Sequence, residues 1–199
     1  MSTVAIILAA DTGEGFETPK YLAPLDGTPM LVKVIEDSES WNVDSRVIVL
    51  GPDAEIVAEE ILTEAIAKVP ATVIIDPEWA EGASSPLRVA LDFVMMDHSV
   101  TNCLVARGDQ PGVTAEIVDV LLERAEETHA DAVVPKYRYA RGWPVLIGHS
   151  LLERLRGMEG EFKLHEVISM HAAAIEECWF DQLTPPVLNT SAALLNQRR

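Results

Sequence analysis

Thr3 to Ala10 (TVAIILAA), followed by Asp11 to Lys20 (DTGEGFETPK), is the stretch on which the fold turns. The first eight residues are almost wholly apolar, with no polar alternation, as a strand buried on both faces requires. The Gly- and acid-rich segment after it suits a loop at the carboxyl end of that strand. Outward from there, Met30, Leu31, Val34, Ile35 and Trp41 fall at helical spacing, and Arg46 to Leu50 (RVIVL) reads as a second strand ended by Gly51 and Pro52. A β-α-β rhythm is established.

The rhythm continues. Val57, Ile61, Ala65 and Val69 make one helical stripe, Thr72 to Ile75 a strand, and Leu87, Ala90, Leu91, Val94 and Met95 a second stripe. Cys103 to Ala106 reads as the fourth strand and ends at Gly108-Asp109; Thr114 can cap a helix carrying Ile117, Val120, Leu121 and Leu122, and Ala132 to Pro135 is another strand. Tyr137 to Tyr139 and Val145 to Ile147 are then separated by a segment too short for a parallel crossover, which predicts a hairpin or an antiparallel edge. Helices near Ser150 to Arg156 and Glu161 to His171, a strand near Ile175 to Phe180 and a helix from Ser191 complete the chain. Alternation of this kind predicts an α/β fold, a mostly parallel sheet in a three-layer α/β/α sandwich with an antiparallel edge.

At 199 residues and 48% hydrophobic content the chain can bury one core, so a single domain over residues 1–199 is expected. Thirty-two acids against 15 bases give a formal charge of −17, which repels nucleic-acid phosphates and anionic lipid; neither nucleic acid nor membrane is expected as a partner. Cys103 and Cys178 lie in apolar runs, as reduced, buried thiols do, and point to a cytoplasmic location. No basic segment precedes the first apolar run, and no run approaches the ~18 residues of a membrane span.

Ligands of an open α/β sheet bind beyond the carboxyl ends of its strands, so the loops Asp11 to Pro19 and Gly108 to Pro111 carry the chemistry. The first offers glycines that let backbone N–H groups approach an anion, and Lys20 supplies positive charge. The second places Asp109 at a strand end, where a carboxylate can hold Mg²⁺ together with substrate phosphates; the alternative is an ordinary turn aspartate.

Several segments, in order, resemble the molybdenum cofactor nucleotidyltransferases, whose pattern runs LAAGxGxRxGxPK, LPLxGxPLL, EGMSSSL, GDQP and GHP. Here they stand as LAADTGEGFETPK, LAPLDGTPML, EGASSPL (Glu81 to Leu87), GDQP (Gly108 to Pro111) and GWP (Gly142 to Pro144). GDQP with EGxSS points to the cytidylyl branch. The resemblance implies a nucleotide-diphospho-sugar transferase-like fold and transfer of CMP from CTP to a phosphorylated acceptor such as molybdopterin, with Mg²⁺ as cofactor. It also implies roles for residues. Lys20 would bind phosphate and share the catalytic role with Asp109, and Ala9, Ala10, Asp11 and Gly13 would line the nucleotide pocket. Ser84 and Ser85 would lie near base or ribose, with an N-cap before Pro86 as their alternative. Asp109 and Asn189 would hold metal, Asn189 falling where the family's late segment DIDTPED places its second metal aspartate.

The opening loop departs from the pattern: Asp11 and Glu17 replace glycines, and Gly15 replaces the arginine. A carboxylate about 8 Å from a phosphate charge, at an effective dielectric near 20, costs roughly 2 kcal/mol per charge pair, so triphosphate binding is expected to suffer. Two further readings follow. One is an impaired relative that serves as a binding or molybdoenzyme maturation partner; the other is an enzyme of the same fold in which Asp11 meets metal or a cationic group. Trp143, in place of the GHP histidine, is read as packing at a strand start. His165 and His171, six apart, do not share a helix face and read as surface or packing residues. Tyr137, Arg138, Tyr139 and Arg141 make a small basic-aromatic patch, either an anion contact or a solvated hairpin.

Overall fold

The computed structural model describes residues 2–13, 15–82, 84–158 and 163–197. Strand β1 (Ser2–Ala9) is followed by a small antiparallel pair, β2 (Pro24–Leu25) and β3 (Thr28–Pro29), then α1 (Met30–Glu39) and β4 (Ser45–Leu50). Next come α2 (Ala54–Val57), a π-helical turn over Ala58–Leu62, α3 (Thr63–Lys68), β5 (Thr72–Ile75), α4 (Ser85–Val94) and β6 (Val100–Arg107). The remainder is α5 (Ala115–Thr128), β7 (Ala132–Tyr137), β8 (Ala140–Arg141), β9 (Val145–Gly148), α6 (His149–Arg156), α7 (Leu164–His171), β10 (Ile175–Phe180) and α8 (Ser191–Gln197).

The main sheet runs in the order β10-β7-β9-β6-β1-β4-β5, with β8 paired to β7. β1 lies parallel to both neighbours; Ile7, for example, stands opposite Ile48 of β4 and Ala106 of β6. Successive side chains of a strand point to opposite faces, and here both faces are covered. Ala5, Ile7 and Ala9 pack with Leu31, Ile35, Ile117 and Leu121 on one side. Val4 and Ile6 pack with Leu91, Leu151, Leu155 and Ile168 on the other. The unbroken apolar run of β1 is the consequence; each isoleucine so buried contributes about 2 kcal/mol of transfer free energy.

The mostly parallel three-layer sheet and the hairpin match the sequence reading, for β8 folds back antiparallel on β7; the other antiparallel strand, β9, is not at the edge. β9 sits inside the sheet, antiparallel to both β6 and β7. A short return segment fixes only the direction of a strand; its place is decided by which neighbours bury Val145, Leu146 and Ile147, all fully enclosed. Of the expected Tyr137 to Tyr139 strand only Tyr137 is extended, as the last residue of β7; Arg138 and Tyr139 form the tight turn after which β8 folds back to pair Arg141 with Lys136. The stripe from Val57 to Val69 is interrupted by the π-helical turn, which keeps Ile61 and Leu62 both buried. Of the helix expected from Glu161, residues 161 and 162 lie outside the described residues; α7 starts at Leu164.

The chain moves from β1 outward to β4 and β5, then returns to place β6 on the other side of β1. That reversal opens a crevice between the carboxyl ends of β1 and β6, where an open α/β sheet binds ligands. Both loops singled out in the sequence start there.

Candidate functional site

A cavity of about 590 Å³ lies over the crevice, walled by Ala10, Asp11 and Thr12 after β1, Arg107 at the end of β6, Ser84 before α4, and Trp79, Trp143, Lys163 and His165 farther out. Its inner end is built by close packing. A Cβ added to Gly108 would lie 2.8 Å from the Ala9 Cβ and 3.1 Å from the Leu8 carbonyl oxygen, so only glycine lets the chain turn directly against β1. Gly108 donates its N–H to that carbonyl at 2.8 Å. The turn sends Asp109 back beneath the cavity floor.

Asp109 is met there by two cations. Arg107 grips its carboxylate as a fork, Nε to Oδ1 at 2.8 Å and Nη2 to Oδ2 at 2.7 Å. Lys20 donates to the same Oδ2 at 2.7 Å and also to Asp11 Oδ1. Arg107 Nη2 lies 3.9 Å from Asp11 Oδ2, closing a ring of two acids and two bases. Lys20 is held by its stem: Gly13, with φ +67°, leaves room for it, since a Cβ at that position would stand 2.7 Å from Lys20 Cδ. Its ammonium lies 5.3 Å from the centre of the Tyr21 ring. The Tyr21 hydroxyl accepts the Asp11 N–H at 3.4 Å.

The side chains of Lys20 and Asp109 are 0% and 1% exposed, whereas Asp11 is 55% exposed and Arg107 28%. Burial alone would raise the Asp109 carboxyl, but the Arg107 hydrogen bonds and the charges of Arg107 and Lys20 outweigh it and hold it below the usual range. Burial likewise opposes the charge on Arg107, and Asp109 and Asp11 overcome it. Burial, with the Asp11 and Asp109 charges, pushes the Tyr21 phenol well above its ordinary value.

The sequence-predicted residues divide. Lys20, Asp11 and Asp109 come together. Ala10 lines the cavity, while Ala9 is packed into the core and Gly13 against the lysine stem. Ser84 also lines the cavity and accepts from Arg88 Nη1 at 3.1 Å; Ser85 instead donates to buried Asp76 at 2.9 Å. Ser84 occupies the N-cap position of α4 without a side-chain capping bond, as does Thr114 before α5. Asn189 is exposed, in a segment tied to the site by the Leu188 N–H donating to the Asp109 carbonyl at 2.8 Å, and by Gln110 Nε2 donating to the Pro185 carbonyl at 2.6 Å.

At the outer end, Trp143 packs into the core and also walls the cavity, its ring edge-on to His165 at 5.1 Å. Both His165 ring nitrogens are buried without a hydrogen-bond partner, and burial, aided by the Arg141 charge, lowers its pKa. His165 is therefore a cavity wall and His171 an exposed residue at the end of α7. The basic-aromatic patch is largely self-satisfied: Arg138 pairs with Asp181 at 2.7 Å, Arg141 with Glu177 at 2.6 Å, and Tyr137 is buried. Cys103 and Cys178 are free and buried, and burial takes the Cys103 thiol up to about 12.

Arg107 escaped the sequence reading. Its trace in the chain is the spacing Arg-Gly-Asp: Arg107 ends β6, and the turn at Gly108 brings Asp109 back within reach of its guanidinium. Among the described residues no three His, Cys, Asp or Glu gather as a metal cluster. The two carboxylates at the crevice, Asp11 and Asp109, are the hard oxygen donors a Mg²⁺ ion takes, but the Asp109 oxygens are engaged by Lys20 and Arg107. No helix of the described residues is long and apolar enough to cross a membrane.

Comparison with known proteins bears on this arrangement. A probable molybdenum cofactor guanylyltransferase of Pyrococcus horikoshii is 26% identical over 178 residues, 84% of this chain and 82% of that protein. The bifunctional protein GlmU of Parvibaculum lavamentivorans is 33% identical over 125 residues, 62% of this chain but only 26% of its own length. In structure, Rv0371C of Mycobacterium tuberculosis H37Rv, solved in complex with manganese, superposes with a TM-score of 0.81 at 20% identity, covering 99% of this chain and 98% of that one; at that identity the likeness is one of fold. The MobA-like NTP transferase domain matches residues 5–175, most of the chain, and the chain therefore belongs to the MobA-like nucleotidyltransferases.

Proposed function

We propose that this chain transfers a nucleotidyl group, CMP from CTP, to a phosphorylated small molecule of the molybdopterin kind, with Mg²⁺ as cofactor. The observation that carries the reading is the Lys20–Asp109–Arg107 cluster at the sheet's reversal point, opening onto a cavity large enough for a nucleotide. Lys20, fully enclosed and paired with Asp11 and Asp109, supplies positive charge close to where a triphosphate would lie. Arg107 adds a planar fork that suits phosphate oxygens. Ala10 and Thr12 offer backbone to the nucleotide, and Trp79, Trp143 and His165 form an apolar outer wall for the acceptor. Asp109 and Asn189 would hold the metal, whose contribution is to neutralise phosphate charge. Catalysis of this kind rests on positioning and charge neutralisation.

The choice of CTP rests on GDQP and EGxSS, and GTP is the competitor suggested by the guanylyltransferase relative. Pyrophosphate release from each of the four nucleoside triphosphates, with molybdopterin present or omitted and with Mg²⁺ or EDTA, tests the reading. Turnover of CTP that needs both acceptor and metal supports it; turnover of GTP alone would replace the nucleotide. Turnover of none, with CTP still bound in calorimetry, would favour a second reading, a binding or maturation partner. The observation on that side is that Asp11 already occupies Lys20.

A further inference from the structure

We propose that Arg107 is a two-position cation: at rest it closes the Asp109 carboxylate against metal, and it leaves for the cavity only when a phosphate is there to receive it, so that metal and phosphate are taken up together. The proposal rests on the nucleotidyltransferase reading and adds to it a residue that sets the order of binding.

The geometry begins with the acceptor capacity of Asp109. A carboxylate has about four lone-pair sites, and three are used here, by Arg107 Nε on Oδ1 and by Arg107 Nη2 and Lys20 Nζ on Oδ2. With the side chain 1% exposed, no open face remains for a hydrated dication. One of the two cations must move before metal can bind. Lys20 is not the one: its side chain is fully enclosed and its stem fills the space that Gly13 leaves. Arg107 is 28% exposed, walls the cavity, and already lies 3.9 Å from Asp11 on the solvent side. Its guanidinium can exchange a carboxylate fork for a phosphate fork with no loss of bidentate geometry. Departure uncovers Oδ1, the oxygen that Lys20 does not touch. Without a phosphate, departure would leave the guanidinium with only solvent and Asp11, so metal alone has little to displace it with. Coupling of this kind between two ligands is commonly worth about 5- to 150-fold in affinity.

The test uses the full chain with Mn²⁺ as metal and pyrophosphate as anion, read as protein-bound Mn²⁺ and pyrophosphate by equilibrium dialysis, in which the complex that Mn²⁺ forms with pyrophosphate itself is equal on both sides, on the wild type, Arg107→Lys and Arg107→Gln, each checked for an unchanged fold by circular dichroism. Wild type should bind Mn²⁺ weakly alone and about tenfold or more tightly with pyrophosphate. Arg107→Gln should bind Mn²⁺ alone more tightly and pyrophosphate more weakly. Arg107→Lys separates the gate from charge, because a lysine keeps the charge but cannot hold both oxygens. It should bind pyrophosphate nearly as wild type does yet take Mn²⁺ alone about tenfold better, with the coupling largely lost. If Arg107→Lys matches wild type in both, or no variant takes up Mn²⁺ alone, or wild type binds Mn²⁺ equally with and without pyrophosphate, the gate is overturned. Pyrophosphate release by the wild type keeps the two ideas apart: turnover without coupling removes the gate only, and coupling without turnover removes the transferase reading only.

Discussion

Lys20 Nζ and Asp109 Oδ2 stand 2.7 Å apart with both side chains closed off from solvent, although 89 residues separate them in the chain. Burying such a pair is costly, and the cost is met only while each charge keeps its partners. Breaking a buried pair usually costs 3–5 kcal/mol, but Arg107 would still hold Asp109, so Lys20→Met is expected to lose about 2 kcal/mol in urea unfolding. Lys20→Met with Asp109→Asn should recover part of that loss, and a double-mutant cycle without coupling would mean that the pair does not help hold the crevice.

Gly108 gives a second test. The Cβ of Gly108→Ala would press on the Ala9 Cβ and the Leu8 carbonyl, both parts of a fully packed central strand that cannot yield cheaply. Overpacking of this kind costs about 1–3 kcal/mol, and thermal unfolding should show a lowered Tm. Because Asp109 follows directly, nucleotide affinity should fall in the same variant, while Gly112→Ala, with nothing within 4 Å, should leave the crevice packing intact and cost only its positive-φ strain.

The contrast between β1 and Arg107 shows what was readable in advance. Val4 to Ala9 announces its place because burial on both faces leaves a local trace, an unbroken apolar run. The GDQP turn is legible for the same reason, since a glycine pressed against β1 is required in the chain itself. β9 is not: its short return states a direction, while its insertion between β6 and β7 depends on partners far apart in sequence. Arg107 is half legible: its fork on Asp109 is local, two residues along the chain, whereas the ring around that carboxylate also needs Lys20, from a loop 87 residues earlier. Ser85 was assigned to ligand or cap, and turned instead to Asp76, a partner that the EGxSS motif does not contain.

His165 predicts a pH dependence. Its folded pKa lies below the usual 6.5, chiefly through burial, so the unfolded chain takes up the proton first as pH falls. Its contribution is therefore present above about pH 6.5 and is lost as pH drops toward the folded value. Thermal melts at pH 7.5 and 5.5 should show a decline for the wild type that His165→Phe reduces, with the packing against Trp143 retained by the aromatic ring. An identical decline in both proteins would assign it to other groups.

The altered opening loop supplies the last prediction. Restoring an arginine at Gly15 is a poor test, because that residue has φ +72° and a Cβ there would stand 3.0 Å from Ser191 Oγ. Asp11→Asn is cleaner: it keeps the shape of the side chain that meets Lys20 and removes one negative charge from a ring of two acids and two bases. The net charge facing a triphosphate then moves from zero to plus one. Asp11 is 55% exposed, so solvent screens part of the effect, and a gain of about 1 kcal/mol, near fivefold in CTP affinity, is expected at low salt. The gain should shrink as ionic strength rises, since an exposed charge is screened over about 8 Å at 0.15 M. Calorimetric titration with Mg²⁺-CTP at two salt concentrations measures both. If Asp11→Asn stays folded and binds CTP no better than the parent, repulsion by this carboxylate is not what limits the nucleotide, and the reading in which Asp11 itself meets metal or a cationic ligand takes precedence.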